Sequence, residues 1–248
     1  MAGSETVIEI RQLDRLEEFR EVINLQKIIW GFSDVELLPL RFLVVVTKVG
    51  GHVFGAYDGA DMVGFCFAIP GVKEGSVPYL HSHMLGVLPA YNNMGIGRRL
   101  KMRQREDAIR RGISLIEWTF DPLELKNAFF NIERLGAIIR RYHENQYGVT
   151  ASPLHGGLPT DRCVAEWWLT SPRVESVLSA KRLPRDVQER IAYPFDIARI
   201  RRENRDRARE IQVANGKKFQ EALAAGLAVT GFERTDTEGI YLLEPWNE

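Results

Sequence analysis

The sequence predicts an α/β fold, and three observations carry that expectation. Short apolar runs of strand type alternate with longer stretches of helical spacing. A strand exit, a glycine-containing turn and a long helical stretch follow one another over residues 79–112. The chain has 248 residues, 45% hydrophobic and 27% charged, which is ordinary for a folded domain and enough to bury a core without staples.

Taken in chain order, VIEIR (7–11) alternates and reads as a short strand. Over 13–30, Leu13, Leu16, Phe19 and Ile23 make a helical stripe, with Asp14 available to the first turn. Pro39 opens a second helix over 40–49, although Val44-Val45-Val46 also suits a strand, and Gly50-Gly51 ends it. HVFGAYD and MVGFCFAIP, separated by Gly59-Ala60-Asp61, read as a hairpin. Pro70-Gly71 and the stretch from Gly75 to Pro78 read as loop, followed by a strand, YLHSHMLGV (79–87). ISLIEWTF (113–120) is a strand stopped by Asp121-Pro122, and 123–136 is a helix closed by Gly136. AIIRRYHENQYGVTA has strand character at both ends, 153–160 is loop, and RCVAEWWL (162–169) is a strand. Beyond Pro172, residues 199–211 and 216–225 read as two helices, and LAVTGFE with GIYLLEP as a closing hairpin. No linker-like composition intervenes, so 1–170 is expected to form a core and 171–248 a C-terminal α/β extension packed on it.

Charge and cysteine usage exclude several classes. The 33 basic and 33 acidic side chains give zero formal net charge, against any general nucleic-acid field. No apolar run reaches about 18 residues, so no membrane partner is expected. Two cysteines, Cys66 and Cys163, cannot form a disulfide framework and point to a reducing, cytoplasmic setting. The first residues lack a basic stretch followed by an apolar one, so no signal peptide is expected.

The most informative stretch is the glycine turn. Val87-Leu88-Pro89 leaves a strand and Gly95-Ile96-Gly97 starts a helix. Glycines there let backbone N–H groups approach an oxygen-rich ligand, and the helix dipole adds positive charge at the same spot. Arg98 and Arg99 follow at once and can add charge-assisted contacts. The pattern reads as a diphosphate cradle, or else as a strand-to-helix turn that needs glycine for geometry alone. It is not a Rossmann turn, because Leu100 stands where the third glycine belongs and three strands precede it. It is not a Walker loop, because G-K-[ST] is absent.

At this point the chain resembles the GNAT acyltransferase superfamily. Asn92-Asn93-Met94-Gly95-Ile96-Gly97 is similar to that family's [QR]-x-x-G-x-[GA], preceded by its usual V-x-P-x-Y in Val87 to Tyr91. NAFFNIERLGA, from Asn127 to Ala137, resembles the second family motif, and the order of elements agrees over roughly residues 5–170. The resemblance implies a mixed, strongly twisted sheet with helices on both faces. It also implies acetyl-CoA or another acyl-CoA as cofactor, succinyl-CoA among them. Amides from Asn93 to Arg98 would hold the diphosphate, Leu85 and Val87 would pair with the pantetheine arm, and Asn127 would lie near its thiol end. Arg98, Arg99 and Arg134 are the phosphate candidates. Two positions depart from the pattern: Asn92 replaces Gln or Arg, and Ile132 stands where many members carry a Tyr that protonates the departing thiolate. Tyr142 and Tyr147 are the alternative phenols.

His81 and His83, two apart in one strand, project from one face. A histidine near pKa ~6.5 accepts a proton at neutral pH, which attack by an amine of pKa ~10 requires. The resemblance places the family's base on this strand, so His81 or His83 is the expected base. The competing readings are a satisfied core histidine and a two-histidine metal site completed by Glu117 or His143. His52 and His155 read as loop or strand-edge residues.

Among the rest, Arg199 to Arg209 interleaves with acids and reads as a solvated helix face. Trp167-Trp168 put one indole inward and one outward. Arg140, Arg141 and Arg162 are available to a succinyl carboxylate. The expected activity is acyl transfer from acyl-CoA to a primary amine of a small molecule such as an amino acid. The alternative is a GNAT-fold module that binds coenzyme A without turnover. A homodimer through the extension is a further expectation.

Overall fold

The computed structural model describes residues 7–149, 156–181 and 183–246; His155 lies outside them. The chain divides into two compact units, Met1–Ile116 and Glu117–Glu248.

The first unit is an antiparallel sheet clothed on both faces. Strand β1 (Ile8–Gln12) leads to helix α1 (Leu16–Trp30), then α2 (Leu40–Lys48), β2 (His52–Asp58), β3 (Asp61–Lys73), β4 (Val77–Val87) and α3 (Ile96–Arg110). The strands lie in the order β1-β2-β3-β4, all neighbours antiparallel. On one face Phe19, Val22 and Leu25 of α1 and Leu43 and Val46 of α2 bury against Val53, Phe65 and Phe67. On the other, Ile96 and Leu100 of α3 pack on Ile8, Phe54, Val63 and Cys66. Helix α1 starts where the Glu18 carboxylate accepts the amides of Asp14 and Arg15, at 3.2 Å each. Those bonds and two arginines outweigh its desolvation and hold Glu18 down to about 2.

Strand β3 runs through Pro70-Gly71, where the sequence predicts a loop. Its β2 neighbour ends at His52, opposite Ala68, so Pro70 removes no ladder donor on that side. The connection to β4 is reduced to Glu74–Ser76, and Val77 and Pro78 already belong to β4.

Strand β5 (Leu115–Phe120) runs across the boundary between the units. The second unit continues with α4 (Leu125–Phe129), whose last turn widens to π geometry over Phe130–Arg134 before Gly136 at φ +80°. β6 (Ile138–His143), β7 (Arg162–Trp168), α5 (Pro172–Leu178), β8 (Glu189–Pro194), α6 (Ile197–Glu203), α7 (Arg205–Ala224), β9 (Leu227–Arg234) and β10 (Glu238–Pro245) follow. Here the sheet order is β7-β6-β9-β10-β8, with antiparallel neighbours. Residues beyond 171 join β6 through Ile139 opposite Val229.

The two C-terminal helices expected from the sequence are differently cut. The break falls at Asn204, whose side chain accepts the Arg207 amide, and α7 then runs unbroken through Gly216. A Cβ at 216 would meet the Tyr142 hydroxyl at 2.8 Å, so the glycine serves close packing there rather than ending a helix.

Candidate active site

The glycine turn forms as a cradle. After a short 3-10 turn at Pro89–Tyr91, Asn93 adopts φ +65° and Gly95 φ +77°, and α3 begins at Ile96. Tyr91 donates to Asp58 at 2.8 Å and ties the approach to the end of β2. The first bond back into the helix is from Arg99 to the Gly95 carbonyl, at 3.1 Å. Among the described residues, no acceptor takes the amides from Asn93 to Arg98. These are unpaired donors at the positive end of a 15-residue helix, the donor set an anionic oxygen cluster requires. A Cβ at Gly95 would meet nothing within 4 Å; the left-handed backbone, not space, requires glycine there.

The side chains around the cradle divide. Asn92, Asn93, Met94 and Arg98 are exposed, whereas Ile96 is buried and roots the turn in the core. Arg99 turns toward β1 and donates to the Ile8 carbonyl. Leu85 and Val87 lie opposite Cys66 and Gly64 of β3 and pack on the α3 side of the sheet. Asn127 and Arg134 belong to the second unit, both exposed, with the Arg134 guanidinium 5.3 Å from the Phe129 ring.

His81 and His83 stand on one face of β4, ring centroids 5.8 Å apart, on the side of Phe67. The pairing of β4 with β3 slips between Phe67 and Ala68: Ser82 faces Ala68, Met84 faces Phe67, and His83 has no partner. His83 is thus the extra residue of a β-bulge. It is exposed, and His81 half-buried. Desolvation, then His83, then Lys101 lower His81 to about 4; desolvation alone lowers His83. Both rings are therefore neutral at pH 7. Among the described residues, no group of three metal-ligating side chains occurs.

Behind the pair, on the opposite face, runs a buried polar chain that the sequence did not disclose. Lys101 Nζ donates to Ser82 Oγ at 2.8 Å, and Ser82 Oγ donates to Gln104 Oε1 at 3.0 Å. Gln104 Nε2 lies 3.1 Å from His52 Nε2, and His52 Nδ1 lies 2.9 Å from Asp107 Oδ2. Burial lowers Lys101 to about 7, so the directions are set from the other end: the Asp107 carboxylate only accepts, and with a neutral His52 each bond back to Ser82 has one sense. Gln104 donates to His52, and the neutral His52 donates from Nδ1 to Asp107. Burial lowers the His52 pKa, in keeping with the neutral ring. Arg110 and Arg111 close the chain on Asp107 at 2.6 and 2.8 Å. His52, expected at a loop or strand edge, is 1% exposed at the start of β2.

In the second unit, of the three arginines proposed for a carboxylate, Arg140 and Arg141 already hold glutamates, and the buried Arg162 donates to the Asp161 carbonyl at 2.9 Å. Arg140 binds Glu166 at 2.6 Å, and Arg141 bridges Glu166, at 3.2 Å, to Glu117. Of the two alternative phenols, Tyr142 stacks on Phe219 and donates to Asp161 at 2.6 Å, and burial pushes its pKa far above the ordinary value. Tyr147 is exposed, 3.1 Å from the Thr119 hydroxyl. Ile132, in place of the family Tyr, is wholly buried. Trp167 is buried, donating to the Leu135 carbonyl at 2.7 Å, and Trp168 is half-buried. Burial raises the Cys66 thiol to about 12.

Residues 16–136 match the family model described as Acetyltransferase (GNAT) family. No curated protein sequence matches the chain. Among solved structures, a GNAT-family protein from Desulfovibrio desulfuricans is 18% identical, with 66% of this chain and 100% of that one covered at TM-score 0.53. Salmonella typhimurium yncA, solved with its cofactor acetyl-CoA, is 17% identical, covering 66% and 97% at TM-score 0.53. The ribosomal-protein-S18-alanine N-acetyltransferase from Escherichia coli is 15% identical, covering 66% and 96% at TM-score 0.52. At these identities the likeness is one of fold, and with the family match it establishes that residues 16–136 are a domain of the GNAT acetyltransferase family.

Proposed function

We propose that the protein is an acyl-CoA-dependent N-acyltransferase, acetyl-CoA being the favoured donor and a primary amine of a small molecule the acceptor. The observation that carries this reading is the run of amides from Asn93 to Arg98 left without acceptors at the start of α3. Those amides would hold the diphosphate of coenzyme A, with Arg98 adding charge. Leu85 and Val87 would flank the pantetheine arm, and Asn127 and Arg134 remain candidates from the second unit. Arg99 contributes less, since it donates to Ile8. Bound acyl-CoA would supply the acyl group as a thioester.

The chain's own task is then to remove the amine proton. His83 is exposed, neutral at pH 7 and presented on the bulge, and His81 stands beside it. His83 takes the proton as the nitrogen attacks, and His81, with its lower affinity for protons, leaves that charge on His83. The buried Tyr142 is unsuited to protonating the thiolate, which at a thiol pKa of ~8.5 is a tolerable leaving group unaided. Acetyl is favoured over succinyl because Arg140 and Arg141 already hold carboxylates.

The test is release of free thiol from acetyl-CoA and succinyl-CoA across an amine panel, with pH–rate profiles of wild type and of His81→Ala/His83→Ala. The acidic limb should disappear in the double variant. An unchanged limb removes the histidines from the reaction, and coenzyme A binding without thiol release from any amine would favour a binding module.

A further inference from the structure

We propose that Ser82 and Lys101 are positioning residues for the His81–His83 pair, a clamp on the blind face of β4 that fixes the bulge from which both rings project. The inference deepens the base assignment above and rests on it for its catalytic consequence alone.

The geometry leads there in three steps. First, β4 is irregular where its two histidines are: His83 is passed over by the ladder, between Ser82 opposite Ala68 and Met84 opposite Phe67. A bulge leaves its extra residue without ladder support, so the strand needs another constraint to keep one conformation. Second, the residue between the histidines points the opposite way. Ser82 is 4% exposed, and its hydroxyl both accepts from Lys101 and donates to Gln104. A hydroxyl with donor and acceptor both used cannot rotate without leaving a buried partner unsatisfied. Third, those partners cannot drift. Lys101 and Gln104 stand on the buried face of α3 one turn apart, and Gln104 is tied onward through His52 to Asp107, itself held by Arg110 and Arg111. The bulge is therefore pinned to a helix, on the side away from the rings.

A core filled for stability alone would place apolar side chains here, as Leu100 and Ile96 do on the same helix face. Burying an amine, an amide, an imidazole and a carboxylate under one strand is costly, and the return is directional: each bond has a single donor sense set from the carboxylate end. The charged and titratable groups around the pair are each other, Lys101 behind them, and Cys66 beside Lys101 on β3; Phe67 supplies the apolar neighbour on their own face.

The experiment uses the full chain with ¹⁵N-labelled histidine. Titration midpoints of His81 and His83 are followed by NMR, with kcat and KM for acetyl-CoA and amine, in Ser82→Ala, Ser82→Thr and Lys101→Met/Ser82→Ala; thermal melts check that each folds. Ser82→Ala should move the His81 midpoint up toward ~6.5 and lower kcat about 10- to 100-fold with little change in KM for acetyl-CoA. Ser82→Thr, which keeps the hydroxyl, should restore both. The double variant, which removes the amine together with the hydroxyl, should fold and still show the displaced midpoint. Wild-type midpoints in folded Ser82→Ala would overturn the clamp. Displaced midpoints with wild-type kcat would uphold the clamp and overturn the histidines as base, so the two failures are distinguishable.

Discussion

Substituting the two cradle glycines separates the turn that aims the amides from the helix behind it, because they differ in backbone and surroundings. Gly95 lies at φ +77° with open space around its Cα, so Gly95→Ala meets no clash but must hold a left-handed conformation, at a cost of about 1–2 kcal/mol. Gly97 has ordinary helical backbone, and a Cβ there would touch Leu85 at 3.5 Å, a normal contact. Gly97→Ala should therefore fold as well as wild type, or gain up to ~0.5–1 kcal/mol from helix propensity. The motif itself admits Gly or Ala there, so this methyl leaves the amides free, whereas straining the left-handed turn at Gly95 redirects them. Losing one amide-to-phosphate bond, worth about 1.5–3 kcal/mol, corresponds to roughly 10- to 150-fold in Kd. Calorimetric titration with coenzyme A and a thermal melt on each protein decide the matter. Gly97→Ala should melt at or above wild type and bind as wild type does, whereas Gly95→Ala should melt lower and bind at least ~10-fold more weakly. Wild-type affinity in Gly95→Ala would refute the cradle as the phosphate site.

Three further outcomes follow from the same geometry. The native His81 is held at about 4 against ~6.5 unfolded, so on acidification the unfolded chain takes the proton first. Stability should therefore fall as the pH drops from about 6.5 to 4, and His81→Gln should flatten urea-melt stability across that window by about 1–3 kcal/mol. Gly216→Ala should destabilise by about 1–3 kcal/mol in a chemical melt, against its gain in helix propensity, because the added methyl meets a Tyr142 hydroxyl already bound to Asp161. Glu166→Ala should lower stability by about 1–2 kcal/mol, since it strips a 1% exposed carboxylate from Arg140 and Arg141 but leaves both guanidiniums partly open to water; an unchanged melting temperature would contradict that.

The sequence disclosed those parts of the fold whose signal is local. The strand-like runs of β2 and β4, the helical stripe of α1 and Pro39 ahead of α2 each stand within one window, and the structure agrees. Strand β8 went unread because ERIAYP buries only Ile191 and Tyr193. The seven-residue α5 has a serine cap at Ser171 but too few turns to show a period. Pro70 and Gly216 misled for one reason: each is a breaker in general, and each sits where the usual penalty is absent. Pro70 has no ladder partner on the β2 side, and Gly216 makes room for Tyr142. The cradle and the histidine pair were legible because their residues are adjacent. His52 and Asp107, 55 positions apart, were not. The available hint was polar residues on the stripe of α3 that should be apolar, where Lys101, Gln104 and Asp107 accompany Leu100 and Ala108.

The Glu117–Arg141–Glu166–Arg140 quartet sets the field that three strands of the second unit present. Two guanidiniums and two carboxylates cancel, so this stretch of β5, β6 and β7 presents almost no net field to an approaching anion. Any carboxylate seeking either arginine would first have to displace a resident glutamate, exchanging one ion pair for another with little advantage. Freeing these guanidiniums for another anion would first require unlocking the quartet by mutation at Glu117 or Glu166.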